Sequence, residues 1–127
     1  MTVKVVNGGL AIVTNRLTGG GTEPKYIGHG TGSSGPTVAD TTLGSESSDT
    51  SGGRVAGTTS RVTTSVTNDT HQVVGTVSCG STQAITEAAT FDASTSGNMM
   101  IRAVFAAVNV VNGDSVQYTI QSQFTTS

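Results

Sequence analysis

Val116-Gln117-Tyr118-Thr119-Ile120-Gln121-Ser122-Gln123-Phe124 places an apolar or small residue at every second position, with amides and a hydroxyl between them. Successive side chains of an extended strand point to opposite faces, so the pattern predicts a strand with one face on a core and one in water. Similar runs lie upstream. Val73, Gly75, Val77 and Cys79 alternate with Val74, Thr76 and Ser78 before a turn at Gly80-Ser81. Ile85, Glu87, Ala89 and Phe91 form the next run, and a polar turn over 92–98 follows. Met99 to Val108 is nearly continuously apolar, as expected of a strand covered on both faces. Asn112-Gly113 then reads as a hairpin turn into the last strand. A Thr-rich strand introduced by Val62, Ser65 and Val66, ending in a turn at 67–70, precedes them all. Strands at this spacing, with no helical period between them, predict an antiparallel all-β sandwich. Eight short strands in two sheets would make it a jelly roll.

Working outward, the chain divides into three sections of one domain, 1–127. Residues 1–18 read as a short strand (Val3, Val5, Val6) and a short helix, with Asn7 as cap and Leu10, Val13, Arg16 and Leu17 near helical spacing. Gly19-Gly20-Gly21 stops that helix. Residues 19–53 form a long Gly/Ser-rich arm containing GHGTGSSGP and GSESSDTSGG, with a short strand expected at Lys25–Gly28. So long a stretch without apolar anchors is expected to be a mobile or docking arm, ordered mainly against a neighbouring surface. Residues 54–127 hold the main sandwich.

Composition narrows the function classes. Only 11% of the 127 residues are charged, against about a quarter in ordinary domains, and Gly numbers 17. Thr, Ser, Asn and Gln fill the surface instead. There is no Trp, so the core is light, and the isolated monomer is expected to be marginal, melting below about 80 °C. The six basic residues are dispersed, which argues against nucleic-acid binding. No run approaches the ~18 apolar residues of a membrane span, and no secretion signal is visible. The single Cys79 allows no intrachain disulfide and reads as a small buried hydrophobe.

Catalytic chemistry finds little support. Gly30-Thr31-Gly32-Ser33-Ser34-Gly35 has the letters of a dinucleotide-binding loop, but Pro36 and a polar stretch follow where a helix is required. His29 and His71 read as surface or loop residues, and no metal-ligand spacing or nucleophile elbow is present. No cofactor, metal or catalytic residue is expected. Glu87 is the exception worth following. Alone on an apolar strand face, it needs a partner if it points inward, and Arg102 on a neighbouring strand is the candidate.

Several segments carry a family resemblance: GGLAIVTNRLTGGG, KYIGHGTGSSGPTVADTTLGSE, TTSVTNDTHQVVGTVS, AITEAATFDASTSGNMMIRAVF and NVVNGDSVQYTIQSQF. Together they resemble small bacteriophage virion proteins, labelled either capsid cement (decoration) proteins or tail-fibre-like proteins. The resemblance implies a cement protein on the outer capsid surface of a virion assembled in the bacterial cytoplasm. There it would tie major capsid protein subunits together against internal DNA pressure. A tail, neck or fibre component, with host-surface binding as a variant, is the alternative. A homo-oligomer, dimer or trimer, is expected. Arg16, Lys25, Tyr26, His29, Glu46, Arg54 and Glu87 are the candidate partner-contact residues.

Overall fold

The alternating segments become strands, and the glycines and short polar turns between them decide which strands pair. In the computed structural model, residues 1–48 and 53–126 are described. In chain order the elements are β1 (Thr2–Val5), α1 (Asn7–Leu17), β2 (Tyr26–Gly30), β3 (Val55–Ala56), β4 (Thr58–Val62), β5 (Thr70–Ser78), β6 (Gln83–Phe91), β7 (Met99–Val110) and β8 (Ser115–Gln123). They form a sandwich of two antiparallel sheets, β1-β7-β6-β2-β3 and β4-β5-β8. The all-β class and the eight strands are as expected. The jelly-roll wrapping is not, because three pairs of sequence neighbours, β2–β3, β4–β5 and β6–β7, lie inside single sheets where a jelly roll has one, and the strands divide five and three.

The Asn112-Gly113 turn also differs from its reading. It carries the chain from β7 in the larger sheet to β8 in the smaller one. A type I′ hairpin needs positive φ at both central residues, and here only Gly113 has it, at 95°. β4 lies four residues earlier than Val62 and Val66 suggested, and Val66 is exposed in the loop that follows. The first four residues of β7 and its last, Val110, are buried; Ala106 to Asn109 are exposed, so the strand is covered on both faces over part of its length.

Between the sheets, Ile27, Val73 and Val77 pack with Tyr118 and Ile120, while Cys79, Ile85 and Val110 pack with Phe105 and Val116. Each fully buried side chain of this size contributes about 1.5–3 kcal/mol. The other face of the larger sheet is covered by the arm. Leu43 packs there with Val6, Ala89, Phe91 and Met99. The arm is therefore folded onto its own sheet, not held ready for a neighbour. Residues 49–52 of GSESSDTSGG lie outside the described residues.

Helix α1 rests on the start of β7 because Gly8 and Gly9 have no side chains. A Cβ on Gly8 would stand 2.8 Å from the Met99 carbonyl oxygen, and one on Gly9 would stand 2.7 Å from that of Met100. Asn7 does not cap the helix. Val6 is the N-cap residue, without a side-chain bond, and the Asn7 N–H donates to the Val38 carbonyl of the arm at 2.8 Å. The glycine stop holds: Thr18 ends the helix and Gly19 turns to φ 84°.

Candidate functional site

The site begins at an irregularity. Register along β6–β7 shifts between Ile85 and Glu87, so Ile85 faces the smaller sheet while Glu87 faces the arm. Neighbouring side chains on a strand point to opposite faces, and Ala88, next in sequence, looks towards β8. Glu87 is fully buried. Its carboxylate accepts from the backbone N–H groups of Gly32 (2.9 Å), Gly44 (2.8 Å) and Ser45 (2.7 Å). Arg102 adds two charge-assisted bonds, from Nε at 3.1 Å and Nη2 at 2.8 Å. Arg102 also donates through Nη1 to Asp40 at 3.0 Å. The expected Glu87–Arg102 pair is thus present, and Asp40, which sequence reasoning did not single out, completes it.

Burial alone would raise the Glu87 carboxyl, but the Ser45 and Gly44 amides, Arg102 and the Gly32 amide outweigh it and hold the group below its ordinary value. Asp40 is lowered likewise: burial opposes, while the Thr37 backbone and hydroxyl donors and Arg102 prevail. Burial would lower the Arg102 guanidinium, yet Glu87 and Asp40 raise it. The glycine-rich loop therefore binds an anion after all, and the anion is the protein's own. A Cβ on Gly32 would come within 2.6 Å of Glu87 Oε1.

The other candidate residues separate into groups. Arg54 forms a two-point pair with Glu46 (Nε–Oε2 2.9 Å, Nη2–Oε1 3.1 Å) and donates to the Ala93 and Ser96 carbonyls. Its guanidinium lies 3.3 Å above the Phe91 ring. Lys25 reaches over Tyr26, which packs on the arm-side core. His29, expected at the surface, is buried: β2 lies inside the larger sheet, and the imidazole points towards the smaller one, with Nδ1 2.7 Å from the Tyr118 hydroxyl. Burial pushes the Tyr118 phenol up. Glu87, Arg54 and His29 are thus committed inside the molecule. Arg16 alone of the seven stands apart, on α1, donating to the Gly21 carbonyl at 3.0 Å.

Sequence reasoning missed a second cluster. His71 Nε2 lies 3.4 Å from Glu23 beside Arg16, over an open apolar hollow of about 380 Å³. The Thr59 hydroxyl, more than His71, holds Glu23 below its ordinary value. Sequence reasoning also could not see that β8 is an edge strand. Its uncharged alternation reads the same in the middle of a sheet as at a border. The outer face there carries amides: Gln121 donates to Gln72 at 2.7 Å, and Gln123 to Ser65 and Asp69. Asp69 is held well below the usual carboxylate range by the Val66 and Thr64 N–H groups, with Gln123 and Ser65 adding to them against a smaller desolvation cost.

Among the described residues no three His, Cys, Asp or Glu side chains converge on a metal position, and no helix is long and apolar enough to cross a membrane. No curated protein and no solved structure matches the chain. One family model does, from residue 17 to residue 125. That span runs from the last residue of α1 to two residues past β8, taking in the arm, the ionic cluster and all strands but the first. On that match the chain is a phage virion structural protein and belongs to the Podophage GP4 fiber I protein gp80 family.

Proposed function

We propose that the chain is a non-enzymatic subunit on the exterior of a phage particle, placed at a fibre or its attachment. The family match over nearly the whole sandwich carries this reading. The chemistry of the site supports it. The strongest ionic constellation is closed on itself and ties the arm to the sheet, which suits a load-bearing part. The outer face of β5 and β8 offers amides and hydroxyls, suited to many weak hydrogen bonds repeated over several copies. Its partners in this reading are other virion proteins and further copies of itself as a homo-oligomer.

A capsid-cement role, bound to the major capsid protein, remains the second reading. It is favoured by the broad neutral Thr/Ser/Gln surface, which suits a wide contact with a shell. Cryo-electron microscopy of particles carrying labelled chain separates the two. Density at a fibre or tail is expected; density confined to the capsid lattice transfers the function to the cement role. A cement protein also predicts earlier DNA release on heating when it is removed, whereas a fibre subunit predicts no change.

A further inference from the structure

The two sheets differ in width, and the narrower one ends in an unusual border. Among the described residues the four sheet edges are β1, with four residues and Lys4; β3, with two; β4, with five and Arg61; and β8, with nine. Exposed edges are normally kept short or protected by charge or proline. β8 has neither charge nor proline. The phase of its ladder follows from its two ends, where Cys79 N–H donates to the Asp114 carbonyl and Phe124 N–H to that of Asp69. Even-numbered residues of β8 therefore bond to β5, and the backbone N–H and C=O groups of Gln117, Thr119 and Gln121 face the open side.

Beyond that border the larger sheet continues. β8 packs over β7, through Ile120 on Ile101 and Val116 on Val110, and β1 lies one strand further out. Between them runs an open trough of about 460 Å³, floored by Val3, Ile101, Ala103 and Phe105 and lined by no charged side chain. Val3 and Val108 stand 48% and 43% exposed along it.

From this juxtaposition of an unpaired, uncharged edge with a bare apolar floor one strand wide, we propose that the trough seats one extended strand of a different polypeptide of the particle. That strand pairs with β8, its apolar side chains alternate towards β7 and β1, and uncharged polar side chains face outward. The proposal rests on the chain being built into a virion. Twofold antiparallel pairing of two β8 edges is disfavoured by the strand order of the larger sheet. The twofold axis pairing two such strands stands about half a strand spacing, ~2.4 Å, beyond β8. With β8 over β7 and β1 one strand spacing further out, such an axis would bring the β1 overhangs of the two copies against each other.

Two variants test the trough without touching the core. Thr119→Pro removes an N–H that faces the open side and none from the β5 ladder, a position where proline is tolerated. Val3→Asp places a charge on the floor. Both are expected to melt within a few degrees of the parent chain, yet their copy number in purified particles should fall at least about tenfold. In wild-type particles, amide exchange at Gln117, Thr119 and Gln121 should slow at least about tenfold against the free chain. Should a variant melt far lower, the exchange comparison on wild type decides alone. Variants incorporated at the wild-type level, or edge amides exchanging equally fast in both states, overturn the trough proposal and leave the virion role standing. A wild-type chain absent from particles overturns both. A purified chain that dimerises in sedimentation, with Thr119→Pro abolishing the dimer, assigns the edge to a second copy and also overturns the proposal.

Discussion

At the scale of single residues, Glu87 has the largest energetic leverage. Removing one member of a buried ion pair leaves the other charge uncompensated, which costs about 3–5 kcal/mol. Glu87→Ala is expected to lose stability in that range by urea unfolding at pH 7, and a loss under 1 kcal/mol would show that Arg102 finds water instead. Tyr118→Phe is a milder case. It deletes the hydroxyl 2.7 Å from His29 between the sheets and should cost about 1–2 kcal/mol in the same assay. Glu87 was legible because a lone carboxylate on an apolar run demands a cation, and Arg102 was the one basic residue in the next run. His29 was not. Its glycine neighbours suggested a loop, whereas Gly28 and Gly30 make room for Glu46 and Ser45 of the arm beside a buried strand.

At the scale of elements, the sign of a glycine substitution separates local preference from packing. Gly→Ala in a free helix stabilises by about 1 kcal/mol. In α1 the same change at Gly8 or Gly9 drives a methyl into a β7 carbonyl and is expected to lower the melting temperature instead. A rise would mean that the helix lifts from the strand without penalty. β5, β6 and β8 were readable because their apolar residues recur at the period of the element, whereas in α1 Leu10 and Leu17 of the helically spaced set are exposed and Ile12 and Gly9 form the buried face. β4 was not readable, since Thr-Thr-Ser-Arg-Val is half-exposed and has almost no apolar signal, and the nearby Val66 drew the reading into a loop. Nor could the arm's order be read. Its anchors are backbone amides, which every residue type but proline carries, and the group that gathers them lies more than forty residues downstream.

For the whole molecule, the depressed carboxyls of Glu23, Asp40, Asp69 and Glu87 set the response to acid. A group whose folded pKa lies below its unfolded value stabilises fully above the unfolded value and loses that contribution as pH falls through the folded one. With unfolded values of about 3.9 for Asp and 4.3 for Glu, the melting temperature should be level above pH ~5.5 and fall steadily below pH ~4.5. Glu87→Gln should flatten that fall; a parallel curve would assign it to the other three groups. The enclosure of Glu87 has a further effect on how this chain folds. Its five donors come from positions 32, 44, 45 and 102, so a half-built intermediate would hold a naked charge against an oily layer. Undocking of the arm and loss of the β6–β7 ion pair are therefore expected to fall in one cooperative transition, checked by coincident far-UV and near-UV melting curves. One buried carboxylate thereby couples the order of the arm to that of the sheet beneath it.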